Sequence, residues 1–231
     1  MMRIMFVGDS MTIGSAGDLT WRYRMWQHLC ASHGGPFRIV GPRRELYDPA
    51  AGAPVSLDYA AADFPERAQA HLAGWGEGWH HMAPVIGEAV RAHRVDTLLI
   101  SLGLIDLGFY TDAGQTAENV RRFVAAARDA SPHVSAVLLP VIPNIRAREE
   151  PAFAAEVECF NELLAKAVAE LDAPGSELLL ASEPPGWDLD RHTYDGTHPN
   201  AEGEHRIAEA FATAMHQAWD MGGPYQRAAG L

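Results

Sequence analysis

Cysteine is nearly absent. Cys30 and Cys159 are too few and too far apart for a disulfide framework or a zinc knuckle, and both fall in helix-compatible stretches where buried thiols are expected. Positive charge is also short: 18 Lys and Arg against 30 Asp and Glu leave a net charge of −12, which disfavours nucleic acid and anionic membrane as partners. No apolar run approaches the length of a membrane span. No n-region, apolar h-region and cleavage site stand in series at the N-terminus, so a cytoplasmic location is expected. There is no internal repeat, low-complexity tract or dividing linker, and residues 1–231 are expected to form one domain. Neither a P-loop nor a dinucleotide fingerprint occurs, and His80-His81 and the His192/His198 pair lack metal-ligand spacing. No cofactor and no metal is expected.

What is present is an ordinary globular composition, 48% hydrophobic and 21% charged. The stretch Arg3-Ile-Met-Phe-Val-Gly-Asp-Ser10 is an apolar run too short for a helix, closed by a turn. It predicts a buried first strand with Ser10 just past its C-terminal end, where open α/β sheets present ligands. Leu19 to His33 predicts a helix, with Trp21, Met25, Trp26 and Leu29 as its core-facing stripe, stopped by Gly34-Gly35-Pro36. Phe37 to Gly41 predicts a second strand. Pro42 to about Trp79 has no sustained period, and so long a connection is expected to be a functional loop or lid. Within it, Gly74-Trp75-Gly76-Glu77-Gly78-Trp79 fits either close backbone approach to a ligand between aromatic walls, or a plain turn with packing tryptophans.

Met82 to His93 predicts a helix with Pro84 in its first turn. Strands are predicted at 96–102, 134–139 and 177–181, and helices at 118–129, 153–171 and 201–219. Five strands alternating with helices imply an α/β fold, a three-layer α/β/α arrangement around a five-stranded parallel sheet. In such a sheet Ser10, Gly103 and the segment after the fifth strand converge on one rim.

That last segment holds Asp195-Gly-Thr-His198-Pro-Asn200. A carboxylate three residues before an imidazole can meet it within one turn, fixing the tautomer and stabilising the imidazolium, as a general base requires. His192 lacks an acid at that offset. Ser10, His198 and Asp195 thus form a candidate nucleophile, base and orienting acid.

Gly8-Asp9-Ser10 near one end, with Asp195-Gly196-Thr197-His198-Pro199-Asn200 near the other, resembles the GDSL/SGNH hydrolase superfamily. Tyr23-Arg24, Trp26 and the Gly-Trp loop are similar to its branch of small carbohydrate O-acyl esterases. The likeness spans nearly the whole chain. It implies a flavodoxin-like fold and serine esterase chemistry on a small-molecule O-acyl ester, through an acyl-serine, with the triad roles just named. It also implies an oxyanion hole built from the Ser10 N–H, a glycine N–H of the second block and an asparagine amide of the third. Ala73-Gly74-Trp75 resembles the second block, which makes Gly74 the first choice, with Gly76 and Gly78 as alternatives.

The third block departs from the pattern. Gly103-Leu104-Ile105-Asp106 has isoleucine where the family carries the asparagine, and an isoleucine side chain donates no hydrogen bond. Loss of one such donor typically lowers the rate by roughly 10²–10³. Either two N–H donors suffice, or Asn144 reaches in, or hydrolysis is impaired. Asp106 matches the pattern and is expected to shape the turn. Two other readings remain beside hydrolysis. An acyltransferase could intercept the same acyl-serine with an alcohol, the apolar Ile105 and Trp75 helping to exclude water. A non-hydrolytic ligand-binding homologue is the third.

Overall fold

A computed structural model describes residues 1–227. The first strand, β1 (Met2–Gly8), is followed directly by a single helical turn, α1 (Ser10–Ile13), and then by α2 (Trp21–Ser32) and β2 (Phe37–Ile39). Ile4, Met5, Phe6 and Val7 are all fully buried, as expected for a central strand covered on both faces. The long connection then forms a hairpin of β3 (Leu46–Asp48) and β4 (Ala53–Ser56) and a two-residue strand, β5 (Leu72–Ala73). Next come α3 (Trp79–Met82), α4 (Ile86–His93), β6 (Thr97–Ser101), a π-helical turn at Asp106–Tyr110, and α5 (Ala113–Ala130). The remainder is β7 (Ser135–Leu139), α6 (Ile145–Glu149), α7 (Pro151–Leu171), β8 (Leu178–Leu180), α8 (Leu189–His192) and α9 (Ala201–Trp219).

The main sheet runs β2-β1-β6-β7-β8, every pair parallel. The order reverses between β1 and β6, the switch point where doubly wound sheets open a crevice at their C-terminal ends. Gly8 pairs with Ser101, and Ser101 with Leu139, so three strand ends finish level. β5 extends the sheet beside the last residues of β1, with Val7 opposite Leu72 and Gly8 opposite Ala73. That pairing brings the Gly-Trp loop alongside Ser10. α2 and α9 pack together on one face, where Trp21 stacks on Phe211 (4.7 Å) and meets Phe6 edge-on (5.2 Å). α4, α5 and α7 pack side by side as the opposite layer. No described helix is long and apolar enough to cross a membrane.

Two local expectations are corrected. The helix expected from Met82 is two: α3 starts at Trp79 and ends at Met82, and α4 starts only at Ile86, beyond Pro84, which has no N–H to continue the ladder. α3 can start early because Asp106 accepts the backbone N–H groups of Trp79 (2.8 Å) and His80 (3.0 Å). Cys30 and Cys159 are exposed, not buried. The inward stripe of α7 is Phe153, Val157, Phe160 and Leu164, which leaves Cys159 on the solvent side; in α2 the inward positions are Met25, His28 and Leu29.

The 42–79 connection is pinned to α2. Arg22, fully buried on α2, donates to Thr12 O (2.8 Å), Ile13 O (3.0 Å), Gln69 O (2.9 Å) and the Tyr59 hydroxyl (2.8 Å). One guanidinium thereby ties the long connection to the end of the turn that carries Ser10.

Candidate active site

Ser10 is the first residue of α1. Asp9 caps that turn, its carboxylate accepting the Met11 N–H at 3.0 Å. Gly8 is required before it: a Cβ there would lie 2.0 Å from Thr12 Oγ1 and 2.8 Å from Ser101 O. The tight strand-to-helix turn leaves Ser10 only 5% exposed.

Its partners arrive from the other end of the chain. His198 Nε2 lies 3.0 Å from Ser10 Oγ, and His198 Nδ1 lies 2.7 Å from Asp195 Oδ2. The second Asp195 oxygen accepts the backbone N–H groups of Thr197 (2.9 Å) and His198 (2.7 Å), so one carboxylate fixes both the ring and the loop beneath it. Gly196 enables that loop: its φ is +82°, and a Cβ would meet Ile145 at 2.7 Å. Asn200 caps α9 through the N–H groups of Glu202 (3.0 Å) and Gly203 (3.1 Å), and that helix start anchors the segment behind His198. Partial burial pushes the Asp195 carboxyl upward, but the bonds from the His198 ring and from the His198 and Thr197 amides outweigh it and hold it below the usual range. An ionised Asp195 takes Nδ1–H, which leaves Nε2 free to accept the Ser10 proton.

The glycine candidates separate by what their amides do. Gly74, the first choice, donates to Gly8 O (3.1 Å) as a continuation of the β1–β5 pairing, and Gly78 donates to His81 Nδ1 (3.1 Å). The Gly76 amide has no partner among the described residues, and Gly76 borders the same cleft as Ser10 and His198. Its φ of +73° places it in the left-handed region. The Ser10 amide, first in its turn, is likewise unpartnered. Both N–H groups are left free beside the nucleophile.

Gly103 lies outside the cleft lining; its φ of +128° and the contact a Cβ would make with Val141 (2.6 Å) mark it as a packing position. Asp106 is fully buried and holds the start of α3, so it shapes the loop from behind. Asn144 borders the cleft, but its oxygen caps α6 at Ala147 N (3.2 Å) and its nitrogen donates to Thr197 Oγ1 (3.2 Å). His192 is buried away from Ser10, its Nδ1 accepting the Asp188 N–H at 2.8 Å.

Ile105 lines the cleft, which encloses about 400 Å³. Trp75 also borders it and stacks on His198, centroids 4.8 Å apart. Four participants went unread in the sequence. Tyr194 lies parallel to His198 at 5.7 Å, Tyr47 stacks on Trp75 at 4.1 Å, Arg22 braces α1, and Phe153 borders the cleft. Arg22 alone left a signal, a cation beside the inward residues of an apolar stripe; the aromatic contacts join segments with no common pattern.

Beneath Ser10, burial raises the Asp9 carboxyl to about 7; the Met11 N–H opposes that shift and the nearby Asp106 charge adds to it. Asp106 is itself raised, again mainly by burial.

Comparison with known proteins shows the family and the fold. The family model described as GDSL-like Lipase/Acylhydrolase matches residues 6–206. Among solved structures, an acetyl esterase mutant with acetate ion is 22% identical with a TM-score of 0.75, covering 94% of this chain and 97% of its own. A family 3 carbohydrate esterase from Talaromyces cellulolyticus is 21% identical (TM-score 0.75, 94% and 97% covered). The family 3 carbohydrate esterase of Clostridium thermocellum is 19% identical (TM-score 0.73, 94% and 96% covered). No curated protein matches the sequence significantly. At these identities the solved structures establish the fold.

Proposed function

Since this chain belongs to the GDSL-like Lipase/Acylhydrolase family and is an esterase of that type, we propose that it cleaves a small O-acyl ester through an acyl-serine on Ser10. One observation carries the reading: the unbroken line from Asp195 Oδ2 through the His198 ring to Ser10 Oγ, 2.7 and 3.0 Å. His198 Nε2 takes the Ser10 proton as Oγ adds to the ester carbonyl. The resulting oxyanion is held by the Ser10 and Gly76 amides, and Asp195 stabilises the imidazolium. The C–O bond to the alcohol then breaks, and His198 returns its proton to the leaving oxygen. Water, deprotonated by the same imidazole, releases the acid and restores Ser10.

The alcohol side is proposed to be a sugar or a natural-product hydroxyl. The half-exposed Tyr194 ring beside His198 supports it, because an aromatic face stacks on the apolar face of a ring compound. So does the fold shared with an acetyl esterase and with carbohydrate esterases. Turnover of a panel of acylated sugars and aryl esters by wild type, lost in Ser10→Ala, is the expected result. Failure of a fluorophosphonate to label Ser10 would sink the acyl-serine.

The apolar wall of the cleft favours one alternative, transfer of the acyl group to an alcohol instead of water. Product analysis at rising acceptor concentration separates the two: transfer requires ester product to overtake free acid.

A further inference from the structure

Thr20 holds a backbone conformation that its side chain disfavours. Its φ of +71° lies where glycine is at home, and a β-branched residue there is strained. Two contacts keep it in place. Its N–H donates to Glu204 Oε1 at 2.8 Å, and its methyl packs on Gly14, where a Cβ would meet that methyl at 2.7 Å. Gly14 closes the turn that carries the nucleophile, its N–H donating to Ser10 O at 3.1 Å.

Glu204 comes from the other end of the chain. It stands in the first turn of α9, its N–H donating at 2.9 Å to the carbonyl of Asn200, the cap that anchors the segment behind His198. Its side chain is buried, and Oε2 has no hydrogen-bond partner among the described residues. Arg24 Nε, also without a hydrogen bond, lies 3.4 Å from that oxygen. Burial pushes the Glu204 carboxyl up to about 7; the Thr20 N–H and Arg24 oppose the rise, and the nearby Asp18 charge adds to it. An apolar side chain would fill this place, where α2 and α9 pack together, without the cost of burying a carboxyl. What an apolar side chain cannot do is accept the Thr20 N–H.

A line of contacts thus runs behind the triad from base to nucleophile, through Asn200, Glu204, Thr20 and Gly14. The 3.0 Å between His198 Nε2 and Ser10 Oγ depends on how the α1 turn sits against the start of α9, and this line joins the two. We propose that Glu204 is a positioning residue, which sets the contact between Ser10 and His198 by holding Thr20 against the α1 turn. The proposal rests on the acyl-serine reading and adds to it a residue that touches no substrate.

Glu204→Met alone leaves Arg24 buried without a counter-charge, which can cost the fold. Glu204→Met combined with Arg24→Met removes the pair together, and this double variant should unfold at or near the wild-type temperature. Its kcat on one ester should nevertheless fall about ten-fold or more, toward the roughly 10²-fold of a 1 Å misplacement, with little change in KM. Arg24→Met alone should keep most of the rate, and so should Glu204→Gln, which retains an acceptor for the Thr20 N–H. A double variant with wild-type kcat overturns the proposal, as does a Glu204→Gln enzyme as slow as the double variant.

A second readout needs no turnover. The Ser10 hydroxyl lies against His198 Nε2, so Ser10→Ala should move the nuclear magnetic resonance of that nitrogen. In the double-variant background the same substitution should move it less, and an equal move rejects the positioning role. If no ester is turned over above the Ser10→Ala background, the acyl-serine reading fails by itself, and the nitrogen resonance still decides whether Glu204 sets the contact.

Discussion

The Trp75 indole lies over the His198 imidazole, centroids 4.8 Å apart and planes 17° from parallel. An aromatic face attracts a cation, so this contact strengthens as the imidazole takes the Ser10 proton. Trp75 acts through His198 as a positioning residue, and Tyr47, stacked on the same indole at 4.1 Å, keeps it in place.

Trp75→Leu is expected to lower kcat about 3- to 30-fold with little change in KM, the range of a cation–π contact of about 0.5–2 kcal/mol. Trp75→Phe should retain most of the rate. Steady-state kinetics on one ester checks both, and equal losses in the two variants would rule out the π contribution.

Ile105→Asn should raise kcat on an acetyl ester at least about ten-fold, because it adds a side-chain N–H beside the free amides of Ser10 and Gly76, and one such donor typically contributes 10²–10³. An unchanged kcat would show that two donors are enough.

Gly76→Ala tests the second donor. At φ +73° alanine is strained, though its Cβ would meet nothing within 4 Å, so relaxation of the backbone turns the amide away. Gly52, at φ +64° in equally open space within the β3–β4 turn, is the matched control. Both alanine variants should lose about 1 kcal/mol of stability, and only Gly76→Ala should lose about ten-fold or more in kcat.

Arg22→Met leaves two α1 carbonyls, Gln69 O and the Tyr59 hydroxyl without their shared donor. Buried acceptors stripped of a charged partner cost about 3 kcal/mol or more, which for a chain of this size is about 6–12 °C in Tm. Thermal unfolding measures the loss. A shift under 2 °C would show that water replaces the guanidinium.

Burial sets the pH dependence of stability at Asp9. Its carboxyl titrates at about 7 when folded against 3.8 when exposed, so between those values the native state holds a proton that the unfolded chain has released. This contribution is fully present below about pH 4 and is lost as pH rises through 7. Asp9→Asn keeps an acceptor for the Met11 N–H but cannot ionise. Denaturant unfolding should show the stability of Asp9→Asn relative to wild type growing by about 4 kcal/mol from pH 4 to pH 8. A constant difference would mean that Asp9 ionises normally.

The sequence by itself determined the central strands and the Asp195–His198 pair, because both are written locally. The central strands β1, β6 and β7 are short apolar runs stopped by a turn, as burial on both faces demands. Asp195 and His198 are one turn apart, so their pairing needs only that turn, and Gly8-Asp9-Ser10 follows the first strand directly. Tertiary structure decided the rest. Which glycine keeps a free amide depends on β5 joining β1, which consumes the Gly74 N–H; no spacing records that pairing. α3 begins at Trp79 because a carboxylate 27 residues away caps it. The imidazole gains its aromatic cover from Trp75, in a loop far from it in the chain, and the cleft its apolar wall from residues after three different strands. Periodicity reports how one segment faces the core; which free donors and rings meet at Ser10 is fixed by hydrogen bonds and packing between segments, and those exist only once the sheet has closed.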